Sequence, residues 1–120
     1  MLTLPSSVKI FLAAGPVDLR RSIDGLGALV SARGHDLYSG HLFVFGSRRG
    51  DRVKILTWDR GGFVLYYKRL EQGRFRLPHV VVGAEEAEID ATALAMLLDG
   101  IDLERVRRPA AWTPASRSIR

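Results

Sequence analysis

At 120 residues, the chain has room for one hydrophobic core but not for two independent ones. Its composition, 47% hydrophobic and 26% charged, is that of an ordinary folded domain and argues against global disorder. With no cysteine there is no disulfide framework and no zinc-thiolate site, no apolar run is long enough to cross a bilayer, and Lys9 interrupts the VKIFLAA run that would otherwise suggest an export signal. A cytoplasmic location with no membrane association is the expectation.

The formal charge of +5 hides a segregation along the chain. Residues 48–76 hold nine Lys or Arg against three acids, residues 85–104 hold seven acids and no base, and residues 105–120 hold five arginines and no acid. Such a distribution creates a directional field, attracting polyanions at one end and a basic partner at the other.

In chain order, Val8 to Ala13 reads as a first strand, closed by Gly15-Pro16. Asp18 then has the character of an N-cap, with Leu19, Ile23, Leu26, Leu29 and Val30 forming one apolar stripe on a helix stopped at Gly34. Gly25 and Gly27 weaken that helix or mark a close approach. HLFVFG, RVKILTW and FVLYYKRL are three strands joined by hairpin-sized loops, SRRGD and DRG, and so predict an antiparallel meander. RFRLPHVVVG could add a short fourth strand, with Pro78 favouring an edge or a break. Asp90 caps a second helix, ATALAMLLDG, ending at Gly100. The predicted class is α+β, a small antiparallel meander sheet of three to five strands packed with two helices. Residues 1–108 are expected to form the single domain and residues 109–120 a basic, flexible tail.

The simplest registers place Phe45 opposite Arg52 and Trp58 opposite Phe63. One sheet face then carries His41, Phe43, Phe45, Arg52, Lys54, Leu56, Trp58, Phe63, Leu65, Tyr67 and Arg69, and the other Leu42, Val44, Val53, Ile55, Thr57, Val64, Tyr66 and Lys68. The second face is the natural seat for both helices. The first mixes flat rings with cations, as a surface that stacks bases and holds phosphates requires, although the same aromatics could equally fill a second core layer. The nucleic-acid-binding candidates are Arg48, Arg49, Arg52, Lys54, Trp58, Tyr67, Lys68 and Arg69. Arg48 and Arg49 lead them because a hairpin tip is exposed whatever the register.

Catalytic signatures are weak. GHDLYSGH brings His35, Asp36, Ser39 and His41 close in sequence, but at no zinc-ligand spacing, and Ser39-Gly40 suits a turn. Asp18, Asp24, Asp51 and Asp59 fit caps and turns better than a two-metal nuclease. Gly25-Leu26-Gly27 lies inside a helix and not at a strand-to-helix turn, so it is no dinucleotide loop. No catalytic residue, metal ligand or cofactor is assigned.

Three stretches taken together, DLRRSIDGLGALV, SGHLFVFGSRRGDRVKILTWDRGGFVLYYKRLEQGRF and DATALAMLLDGIDLERVRR, resemble one family. It is the accessory protein, called TnpB or the second open-reading-frame product, of insertion-sequence-sixty-six-type bacterial transposable elements. The resemblance implies a non-catalytic protein that assists a separate DDE-type transposase. DNA, or RNA, and that transposase are the implied partners. The competing reading is an adaptor that binds the transposase or a second copy of itself without touching DNA.

Overall fold

The computed structural model describes residues 4, 5, 7–78 and 80–100. They build strand β1 (Ile10–Ala13), helix α1 (Ile23–Ala32), strands β2 (Leu42–Gly46), β3 (Arg52–Asp59), β4 (Gly62–Arg69) and β5 (Glu86–Ile89), and helix α2 (Ala91–Leu98). One sheet contains all five strands in the order β4-β3-β2-β1-β5. The class is α+β, as the sequence predicts. The β2-β3-β4 meander also forms, with Trp58 opposite Phe63.

Three expectations need correction. First, the sheet is mixed: β1 runs parallel to β2, with Phe11 opposite Phe43, while every other pairing is antiparallel. The chain between β1 and β2 is long enough to contain α1, and a helical crossover returns the chain parallel to the strand it left. Second, RFRLPHVVVG supplies no strand among its described residues; the fifth strand is EAEI, pairing antiparallel with β1. Third, Phe45 opposes Lys54 and not Arg52. Because that slip is two residues, each side chain keeps its predicted face.

The helices pack on opposite faces of the sheet, not together on one. Leu26 and Val30 of α1 pack with Leu19, Phe43, Phe45 and Leu56, the aromatic face of the sequence reading. On the reverse face Leu94, Leu97 and Leu98 of α2 pack with Ile10, Leu12, Val44, Val53 and Ile55, joined by Phe75 from the chain after β4. Covered from both sides, β2 is buried at all five positions, which explains its continuous apolar run LFVFG.

Helix α1 starts at Ile23, later than the apolar stripe suggests. Asp18 does not cap it. The Asp18 carboxylate accepts from the Arg20 backbone N–H at 3.0 Å, an Asx-type turn that places Leu19 in the core before the helix begins. Gly27 is the close approach anticipated for the glycine pair: a Cβ there would meet Leu37 Cδ2 at 3.2 Å. Asp90 caps α2 as expected, accepting from Ala93 N–H at 2.7 Å.

Candidate nucleic-acid interface

The β2-β3 tip, Ser47-Arg48-Arg49-Gly50-Asp51, is held by its own backbone. Gly50 N–H donates to Ser47 C=O at 3.0 Å, Ser47 N–H donates to Arg52 C=O at 3.0 Å, and the Ser47 hydroxyl accepts from Arg52 N–H at 3.2 Å. Gly50 has φ of 79°, a left-handed conformation that a side chain would strain. The chain after β4 braces the tip from below, with Leu70 N–H donating to Asp51 C=O and Phe75 N–H to Gly50 C=O, both at 2.7 Å. Buried Phe75 anchors that brace in the α2-side core.

A second loop faces the tip. Val17 N–H donates to Gly46 C=O at 2.9 Å, hanging Pro16 to Arg20 on the end of β2. Between loop and tip lies a groove of about 490 Å³, lined by Arg20, Arg48, Arg49 and Arg52 together with Asp18, Asp51 and smaller residues. Arg20 grips Asp18 through three bonds, Nε to Oδ1 at 3.0 Å and to Oδ2 at 3.2 Å, and Nη2 to Oδ2 at 2.8 Å. These bonds, aided by the Arg20 backbone N–H and its charge, hold the Asp18 carboxyl well below the usual carboxylate range. Among the described residues, the Arg48 and Arg49 side chains make no hydrogen bond or ion pair and stand exposed at the rim.

Arg52 is the unbalanced member. Among the described residues its Nε, shielded from solvent, has no hydrogen-bond partner, and the nearest carboxylate oxygen, Asp51 Oδ1, lies 4.0 Å away. It also sits directly opposite Arg69 across the β3-β4 ladder, an arrangement of like charges that destabilises a sheet unless something neutralises it. Glu71 reaches Arg69 at 3.3 Å and relieves part of that repulsion.

The sequence profile of the "IS66 Orf2 like protein" family matches residues 8–108, spanning the groove, both helices and the entire sheet. The chain belongs to the IS66 Orf2-like family. Similar proteins from Sinorhizobium fredii (strain NBRC 101917 / NGR234) are uncharacterized protein y4jC, 40% identical over 89% of this chain and 91% of its own length, and uncharacterized protein y4hO, 33% identical over 95% of this chain and 96% of its own. No solved structure gives a significant match.

In this IS66 Orf2-like chain, the eight predicted contact residues do not share one surface. Arg48, Arg49 and Arg52 line the groove, and Arg69 stands beside Arg52. Lys54 is turned inward along the α1 face, its Nζ donating to the Arg21 carbonyl at 2.9 Å and lying 5.2 Å from the Tyr67 ring centroid. Trp58, at the far end of β3, packs edge-on against Tyr38 and Phe63, each with ring centroids 5.0 Å away. Lys68 lies on the reverse face, its Nζ donating to Leu98 C=O at 2.6 Å, where a cation suits the C-terminus of α2. Phe43 and Phe45, expected on the ring-bearing surface, are buried beneath α1.

Arg20 is the groove residue that the sequence reading misses. The apolar stripe beginning at Leu19 assigns it to a helix, although the Arg20-Arg21 pair beside Asp18 was a signal of a charged turn. The GHDLYSGH segment serves packing: His35 Nε2 lies 2.7 Å from Glu86 Oε2 with its ring against Phe11 and Phe43, and His41 Nδ1 accepts from Lys9 N–H at 3.0 Å. That bond fixes His41 as the tautomer protonated at Nε2. Among the described residues, no cluster of His, Asp and Glu is arranged to hold a metal ion. His79 and the expected tail lie outside the described residues.

Proposed function

We propose that this chain is a non-catalytic accessory protein of DNA transposition, and that its arginine groove holds the sugar-phosphate backbone of nucleic acid while a separate transposase performs the chemistry. Family membership supports the transposition role. One observation carries the binding role: Arg52 faces a like charge beside a groove whose rim bears two guanidinium groups that are unpaired among the described residues. An anion entering there offsets the repulsion and pairs with the exposed rim guanidinium groups. A phosphodiester suits the site because guanidinium forks match its oxygens in charge and geometry.

The groove reads backbone more than sequence, since its donors are charged and no aromatic ring lines it among the described residues. Duplex DNA binding is therefore expected to be steep in salt and tolerant of base changes. The test is an NMR titration of arginine side-chain Nε–H signals with a short duplex of element-end DNA. Shifts confined to Arg20, Arg48, Arg49, Arg52 and Arg69 support the assignment. Saturable binding that leaves these signals unmoved refutes it.

A further inference from the structure

The sheet ends in two unlike edges. The β5 edge is four residues long and carries Glu86 and Glu88, so shortness and charge both oppose strand addition. The β4 edge is eight residues long, GFVLYYKR, and among the described residues β4 pairs with β3 alone. Its cations are confined to one end. Val64, Tyr66 and Tyr67 are 45%, 40% and 49% exposed, leaving the middle of the edge apolar on both faces.

The direction of its backbone groups follows from the turn. Arg60 and Gly61 have φ of 43° and 86°, the two-residue reversal that closes Asp59 onto Gly62. The closing pair exchanges both of its bonds and the ladder then alternates, so Gly62, Val64, Tyr66 and Lys68 bond inward to β3. The bond from Leu70 N–H to Asp51 C=O continues this even-numbered series. Phe63, Leu65, Tyr67 and Arg69 therefore turn their N–H and C=O groups outward, along the free edge.

We infer that a second copy of this chain pairs along this edge, antiparallel and in a register centred on Leu65. Two-fold pairing of like faces requires the axis to pass through a residue position, and β4 offers three central choices. Centred on Val64, Lys68 meets the second copy's Arg60. Centred on Tyr66, Val64 and Phe63 meet the second copy's Lys68 and Arg69. Centred on Leu65, Val64 meets Tyr66 and Phe63 meets Tyr67, while Lys68 and Arg69 lie opposite Gly62 and Gly61 and face no charge. Only this register places apolar groups together and keeps cations apart, the pattern that stabilises cross-strand pairs. It continues the sheet across both copies and leaves one arginine groove at each end.

Sedimentation velocity of the full chain at tens of micromolar should give a particle of twice the 13.3 kDa chain mass. Two double variants fix the register. V64K/Y66K sets lysines opposite one another and should lose the dimer peak with an unchanged circular dichroism spectrum, whereas V64E/Y66K should keep it. Only the Leu65-centred register sets Glu opposite Lys with no like charges facing each other; the Tyr66-centred register pairs the two introduced lysines and the Val64-centred register the two introduced glutamates. Hydrogen exchange of the unaltered protein provides a readout that does not depend on either variant folding. The amides of Phe63, Leu65, Tyr67 and Arg69 should become protected as concentration rises. A wild-type monomer, a dimer that persists in V64K/Y66K, or loss of the dimer in V64E/Y66K with the fold retained overturns the inference. So does protection of those amides that ignores concentration, which would mean that another part of the same chain covers the edge.

Discussion

The cations of the β3-β4 ladder and those of the β2-β3 tip look alike in sequence and behave differently in the fold. Lys54 and Lys68 leave opposite faces of the sheet, and each gives its ammonium to a backbone carbonyl near a helix end, Arg21 for α1 and Leu98 for α2. Arg48 and Arg49, a few residues upstream, reach no partner among the described residues, and Arg52 between the two groups leaves its Nε unbonded. The two strand lysines fasten helices, and positive charge on the loop remains available to a ligand. The difference arises because a strand side chain points at whatever covers its face, while a hairpin tip projects beyond both covering layers.

The first way to break this comparison is to attack what holds the strand face in place. Leu56, fully buried between α1 and the sheet, should cost about 2–5 kcal/mol as Leu56→Ala, read from urea unfolding, without altering DNA affinity of the folded protein. Arg48→Ala with Arg49→Ala should do the reverse. Stability should stay within about 0.5 kcal/mol, as for surface changes remote from packing, while the salt slope of duplex binding falls by about two units. At 0.15 M salt that corresponds to roughly a 30-fold loss of affinity.

Lys68→Met sharpens the contrast, because it removes a cation from the same basic stretch. Loss of its bond to the Leu98 carbonyl should lower unfolding free energy by about 1–2 kcal/mol with the salt slope unchanged. Asp18→Asn gives the smallest effect. It removes a negative charge from the groove and frees Arg20, so duplex binding should tighten a few-fold in the same titration. Acid should not mimic that variant above pH 5. The Asp18 carboxyl is depressed in the folded state, so its contribution is complete above the ordinary carboxylate pKa and is lost only as pH falls through the lower folded value. Affinity should accordingly be flat from pH 5 to pH 8 for any effect that Asp18 controls.

Local patterns carried much of this fold, and long-range ones did not. The meander was legible because alternation and two short turns fix both strands and faces, and the Arg60-Gly61 turn set the Trp58-Phe63 pairing correctly. Asp90 was legible as a cap because Ala93 follows at the spacing that capping requires. The parallel β1-β2 pairing was not, since strand direction depends on where α1 packs, and α1 settles on the aromatic face that the sequence had reserved for a ligand. β5 escaped because EAEI has weak strand propensity and gains its order from pairing with β1, whereas the more strand-like VVV segment before it forms none among its described residues. For the site, the exposed tip could be read from the hairpin alone. Arg20 could not, because its approach to Arg48 and Arg52 depends on Val17 bonding to Gly46, a contact across the fold.

The most direct measurement is a fluorescence-anisotropy titration of labelled element-end duplex at several salt concentrations, run side by side on wild type, Arg48→Ala plus Arg49→Ala, and Lys68→Met. Wild type should show a steep slope, the loop variant a slope shallower by about two units, and Lys68→Met the wild-type slope. Equal losses in the two variants would contradict the division between loop and strand cations. No binding by wild type at low salt would remove nucleic acid from the role of the isolated protein.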